Sequence, residues 1–432
     1  MKKYIYLLPL VFLMACSSDL DQFPPNIASA DSLTDFDGVL NAAYYYQLGT
    51  VTPMAVMGDF RADNAFMFEA PFDEFDKFGP DLVQMDEQFF SPFYTACYKS
   101  ILSSNIVVEN SDDATEIGEA RFLRALSYFK LVRVFGATTI NLSDSPSVTD
   151  QDILVRESPS TVYNDVIIPD LEAAIASLGS TASNGRASRL AAQGLLGKVY
   201  MQMGDFSSAE AELSAVVSGA GEAGIALQND FSEVFGVDFD LNPEIIFATQ
   251  VSSSIVDEYG FSEFWSWSGG LDTKSLEPLD EDLIDAFDAS PGDLRRAVTI
   301  DEALLSSPKF PQTGGPDHDW IELRLADVIL LYAEALNENG NASAALTELN
   351  KIRTRAGLAD SNASSQGEIR AAIAQERRLE LAFEGQRWFD LVRTGTVDAE
   401  MGQSINSDYH LFPIPNSEVL SSFGVITQNS GY

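Results

Sequence analysis

Two tryptophans one residue apart, Trp265 and Trp267, stand in the stretch GFSEFWSWSGG. In an extended segment alternate side chains share a face, so two indoles at this spacing form one flat apolar platform. A sugar ring presents an apolar C–H face and a hydroxyl edge, and such a platform with a few hydrogen-bonding groups around it is a glycan site. Tyr259 and Phe264 are secondary candidates for the same platform. Trp320, just ahead of a long apolar run, belongs either to the edge of that groove or to the core. Upstream, GDFRADNAFMF sets Arg61, Asp63 and Asn64 beside Phe66 and Phe68. An arginine fork with a carboxylate and an amide can read adjacent hydroxyls, and the same residues can equally cap a solvated loop.

Catalytic and metal chemistry have thinner support. Glu376, Glu380 and Glu384 form a like-charge stripe at steps of four, unfavourable by itself on a helix. Arg353, Arg355, Arg377, Arg378 and Arg387 are at hand to neutralise it, so an ion-pair network is expected rather than a catalytic pair. A glycoside hydrolase needs two carboxylates roughly 5–10 Å apart, which a chain with 65 acidic residues leaves open. His318 and His410 are the only histidines and no cysteine cluster accompanies them, so no zinc site is expected. Asp238, Asp240 and Asn242 alternate like the start of a calcium loop, but Pro243 stands where its glycine belongs and Thr249 where its bidentate glutamate belongs. The expectation is no metal, no cofactor and no catalysis.

The element that organises the chain runs from Trp320 to Leu358. Ile321, Leu325, Val328, Ile329, Tyr332 and Leu336 recur at three- and four-residue steps and predict a helix buried nearly all round. Gly340 supplies a left-handed cap, and Ala345, Leu349 and Ile352 face inward from a second helix. Ala333, Gly340, Ala345 and Leu349 fit the small, turn, small and large positions of a tetratricopeptide unit of about 34 residues. A second copy lies upstream, where Leu196, Gly197, Tyr200, Gly204, Asp205, Phe206, Ala209 and Leu213 fit better still. The fold expected is mainly α: a tetratricopeptide superhelix of about four hairpins, at about 34–110, 117–178, 186–219 and 320–358. Irregular, loop-rich, ligand-facing insertions fall at about 49–85 and 221–318, the second with a short strand at Glu244–Gln250. A helix over 368–393 and a strap over 396–432 complete a single domain covering 31–432. Pro169 is expected to kink its helix.

The 432 residues carry 65 acidic and 26 basic side chains, a formal net charge of −39. Such a surface repels phosphate backbones, which excludes nucleic acid as a partner, and it favours neutral over polyanionic glycans. Met1 to Cys16 reads as a secretory signal, with Lys2 and Lys3 ahead of an apolar run too short to span a bilayer. Leu13-Met14-Ala15-Cys16 has the form of a lipobox, so Cys16 is the expected lipidation site and residues 17–30 a flexible tether. Cys97 is then the one remaining cysteine, on a helical stripe with Phe90, Phe93 and Ile101, and reads as a core filler.

RLADVILLYAEAL with KIRTRAGL, then ERRLELAFEGQRWFDLVRTG and finally LFPIP, together with the lipoprotein start, resemble the SusD/RagB family of Bacteroidetes surface nutrient-binding lipoproteins. EARFLRALSYFKLVRVFG and NPEIIF resemble its pattern as well, so the likeness spans the mature chain. The resemblance implies four repeat units and a ligand-facing role for the GDFRADNAFMF loop. It also implies a lipid-anchored protein on the outer membrane, facing outward, that captures an oligosaccharide or polysaccharide and passes it to a SusC-like TonB-dependent transporter. A neutral glucan is the favoured cargo. Peptide or another nutrient in the same transport role, a repeat scaffold that binds peptides, and a surface glycoside hydrolase remain alternatives.

Overall fold

A computed structural model describes residues 35–67, 69–147, 151–181, 185–252, 254–255, 279–310 and 317–432. Helix α1 (Asp37–Tyr46) turns Leu40 and Ala43 into the core, with Phe36 and Gln47 buried on the same stripe. It packs on α2 (Ser91–Asn110), which forms an antiparallel pair with α3 (Ala114–Phe135). Asp113 separates the two and caps α3 by accepting N–H bonds from Thr115 and Glu116. Helix α4 (Ile168–Ser177) packs against α3. The chain passes Pro169 through a widened turn over Tyr163–Ile167, in which the Ile168 N–H reaches back to the Tyr163 carbonyl. The helical path therefore continues past the proline, with the missing amide absorbed in a π-type turn.

Helices α5 (Arg189–Met203) and α6 (Phe206–Gly219) form the next hairpin. Gly204 takes the left-handed conformation between them, and Asp205 caps α6 through the Ser208 N–H. Gly197 leaves room for Leu213, whose methyl carbon would lie 2.5 Å from any Cβ placed there. Strands β1 (Ile245–Thr249) and β2 (Trp320–Arg324) pair antiparallel, with Ile245 opposite Arg324 and Thr249 opposite Trp320. Helices α7 (Leu325–Glu338), α8 (Ala342–Arg355), α9 (Gln366–Glu380) and α10 (Arg387–Thr394) follow. Helix α7 packs on α6, α8 and α9, so the hairpins stack along one continuous apolar core. Cys97 is buried in that core, and burial pushes its thiol up to about 12.

Three local readings are corrected. The helix expected from Trp320 begins at Leu325, because residues 320–324 pair with β1 instead; in an unbroken apolar run period cannot separate strand from helix. The segment 49–85, expected as loops and short turns laid over the superhelix, is instead built into the core over residues 49–65. Short helical turns over Val51–Ala55, Val56–Phe60, Glu74–Lys77 and Pro80–Met85 fill it, and every residue from Val51 to Phe60 is buried. The last long helix breaks between α9 and α10, where Phe383 and Gly385 both take positive φ. Asp59 holds that break by accepting N–H bonds from Phe383 and Gly385, and Gly58 lies so close that an added Cβ would sit 2.2 Å from the Gly385 carbonyl oxygen.

The glutamates expected as one stripe are buried and fully paired, Glu376 and Glu380 on α9 and Glu384 in the break after it. Glu380 meets Arg295, Arg324 and Arg355, Glu384 meets Arg324 and Lys309, and Glu376 meets Arg295 and Arg353. Arg377 turns instead to Asp327 and Asp390, while Arg378 and Arg387 turn to Asp63. Burial works to raise the Glu380 carboxyl, but Arg355, Arg324 and Arg295 outweigh it and hold the group well below the ordinary carboxylate range. Glu380→Gln leaves three buried guanidinium groups short of a counter-charge, and a loss of about 3–5 kcal/mol in urea unfolding is expected.

Burial raises other carboxyls: Asp59 and Asp240 to about 6, Asp76 and Asp319 to about 7. Unfolded carboxyls titrate near 4, so between about pH 4 and 7 the folded chain binds more protons and loses stability as pH rises. Glu380 acts in the opposite sense: its contribution is complete above the unfolded value and is lost as pH falls through the depressed one. The melting temperature, followed by circular dichroism at constant ionic strength, is expected to peak around pH 4–5 and to fall toward pH 7.5. A steady rise from pH 5 to 8 would contradict this balance.

Candidate functional site

A second stripe, Asn41, Tyr44 and Tyr45, flanks the Leu40 and Ala43 side of α1, and Leu48 continues it just beyond the helix. It borders a chamber of about 290 Å³ whose floor is Leu48, Phe247 and Ala248 and whose rim includes Asn41, Arg186 and Gln250. Strand β1 supplies the floor where its pairing with β2 is irregular at Phe247 and Ala248, and the Phe247 ring lies 6.4 Å from Tyr44 and 4.7 Å from Phe122. Ile255 closes the described part of the wall.

The polar wall is held rigidly. The Tyr44 hydroxyl donates to Glu119 at 2.6 Å and accepts the Ala187 N–H at 2.9 Å. Arg186 donates through Nε to Glu119 at 2.6 Å and through Nη1 to Asn41 at 2.9 Å and Asp37 at 3.3 Å. Its guanidinium lies 5.1 Å from the centre of the Tyr44 ring. Burial, then the Glu119 charge, lifts the Tyr44 hydroxyl well above its usual range, so it stays protonated as a fixed donor. No residue lining the chamber is a carboxylate among the described residues. Aromatic rings, an apolar floor and an amide and guanidinium rim suit a polyhydroxylated ring.

The residues singled out in sequence fall elsewhere. Arg61 is fully buried, donates to the carbonyls of Phe75 and Tyr409, and lies against the rings of Phe78, Trp388 and Phe412. Asp63 accepts two bonds from Arg387, each 2.7 Å, and Asn64 donates to Asp59 and accepts from Arg378. These three hold the 58–64 turn to the C-terminal helices, which corrects the expectation that they reach for ligand hydroxyls. Trp320 is buried on β2 against Gly385, in the core rather than at a groove edge. Tyr259, Phe264, Trp265 and Trp267 lie outside the described residues, as does Cys16. Tyr44, Tyr45, Asn41, Arg186 and Gln250 were missed; the signal was the Asn41-Tyr44-Tyr45 spacing beside the apolar stripe of one helix.

Two family descriptions match the chain: "SusD family" over residues 303–432 and "Starch-binding associating with outer membrane" over residues 16–201. SusD-like protein P2 of Formosa agariphila is 26% identical, with all of both chains covered. A SusD superfamily protein from Parabacteroides distasonis superposes with a TM-score of 0.77 over 94% of this chain and 100% of its own, at 22% identity. A laminarin-binding SusD-like protein superposes with a TM-score of 0.75 over 93% of this chain and 99% of its own, at 24% identity. The chain belongs to the SusD-like family. SusD-like proteins bind starch and other glycans in association with the outer membrane, and are binding proteins rather than enzymes. No described helix is long and apolar enough to cross a membrane.

Tyr44 tests whether the SusD-like scaffold braces this wall. Tyr44→Phe keeps the ring and removes the hydroxyl that joins Glu119 to the Ala187 amide, and a loss of about 1–2 kcal/mol in urea unfolding is expected. An unchanged midpoint would show that the wall stands without it.

Proposed function

We propose that this chain captures an oligosaccharide at the cell surface in the groove between α1 and β1 and passes it to a SusC-like TonB-dependent transporter. Lipidation of Cys16 is its proposed anchor in the outer membrane. The observation that carries the reading is the chamber beside Tyr44 and Tyr45, with its apolar floor, amide and guanidinium rim and no lining carboxylate among the described residues. The laminarin-binding neighbour and the starch-binding family description support a glucan as cargo. The net charge of −39 supports a neutral one. Trp265 and Trp267, with Tyr259 and Phe264, are proposed as further ligand contacts on the strength of their sequence spacing. Binding without hydrolysis is the proposed mode, supported by the likeness to carbohydrate-binding SusD-like proteins.

Titration calorimetry on protein lacking residues 1–16 tests this against malto- and laminari-oligosaccharides, oligogalacturonates and a peptide mixture. Saturable binding of a neutral glucan without cleavage is expected, weakened about tenfold or more by Tyr45→Ala, Trp265→Ala or Trp267→Ala with the fold intact. Silence toward every glycan together with peptide binding would move the cargo to peptides, and release of shortened sugars would make the protein a hydrolase.

A further inference from the structure

A second chamber, of about 200 Å³, lies on the far side of Arg186 and Phe247, and these two residues line both spaces. Its character differs from that of the first: Ser180, Thr181, Ser188 and Asn242 line it, and it has no aromatic side chain besides Phe247. Ser188 is spent as the cap of α5. Asn242 is likewise occupied, donating to the carbonyls of Val234 and Phe239 and accepting from the Glu244 N–H. The hydroxyls of Ser180 and Thr181 make no hydrogen bond among the described residues, and neither does Nη2 of Arg186.

Gly185 lines the second chamber beside the shared Arg186. It has φ +71, and a Cβ on it would come within 2.3 Å of the Gln250 side-chain nitrogen, so the Gln250 amide crosses directly over the backbone beside Arg186. Gln250 in turn lines the first chamber. The crossing point therefore carries a guanidinium edge and an amide, and hydroxyls follow on the far side. The guanidinium charge is already matched by Glu119 and Asp37. It can donate to a hydroxyl or ring oxygen, but it leaves no net positive field for a carboxylate or sulfate.

We propose that the second chamber is a further sugar subsite, and that the groove takes a neutral oligosaccharide of two or more units whose linkage crosses at Arg186 and Gln250. This rests on the glycan-binding reading above and adds to it the place of a second ring. One ring sits against Tyr44 and Tyr45, and the next sits among Ser180, Thr181 and the free edge of Arg186.

The test is calorimetry with malto- and laminari-oligosaccharides of increasing length, from the single glucose unit upward, beside oligogalacturonates of the same lengths. Ala223→Trp fills the second chamber from a partly exposed position, and Thr181→Trp does so from an exposed one; circular dichroism and the melting temperature check that each folds. For the unaltered protein, affinity is expected to rise about tenfold or more once the glucan spans both chambers. Either variant is expected to remove that rise while leaving the shortest ligand that binds within about twofold. Length dependence that survives both folded variants overturns the second subsite and leaves the glycan reading standing. Equal or tighter binding of oligogalacturonates overturns the charge class. Absence of binding to any glycan by the unaltered protein overturns the glycan reading and this proposal with it.

Discussion

Burying three carboxylates, two on the last turns of α9 and one in the break just after it, is the constraint on which much of this structure depends. Glu376, Glu380 and Glu384 would repel one another in an isolated helix, and no apolar packing can hold them in the interior unless each meets a cation. The cations come from separate parts of the chain: Arg295 and Lys309 from the segment before β2, Arg324 from β2 itself, Arg353 and Arg355 from α8. Glu244, at the start of β1, joins through Arg324 and Arg355. One ionic cluster thus ties an insertion, a strand pair and two repeat helices into a single unit.

That unit sets where the groove lies. With Glu244 and Arg324 held at one end of the strand pair, the other end is fixed by Glu322, which accepts from Lys130 on α3 and from Thr249 on β1. Lys130 also reaches Gln47 and Thr50 just beyond α1. Strand β1 therefore meets α1 at a defined height, and Phe247 comes beside Tyr44. A wall braced in this way limits the ordering cost of binding.

The buried 58–64 turn shows how one residue type can serve either role. Arginine, aspartate and asparagine beside phenylalanines describe a sugar-binding loop as well as they describe an internal clamp, because both need forked donors and acceptors next to aromatic faces. Arg61 lies among Phe78, Trp388 and Phe412 with its donors on backbone carbonyls, so here the aromatic faces belong to the protein. Asp59, buried beside it, joins this turn to the break between α9 and α10.

By itself the sequence determined the repeat hairpins, since Gly204 and Gly340 at the turns and Gly197 against Leu213 follow from local spacing and side-chain size. It also determined the acidic surface and the need for a cation network around Glu380, because charge and helical period are local properties. The tertiary structure alone decided which cations answered: Arg377, Arg378 and Arg387 turned to aspartates, and Arg295, Arg324 and Lys309 took the glutamates. It decided as well that Trp320 to Arg324 is a strand, because only the edge of β1 supplies the hydrogen bonds that make it one. The groove is the clearest case. Tyr44, Arg186 and Phe247 lie far apart in the chain, and no periodicity within any one segment could show that a helix, a loop and a strand would close around the same space.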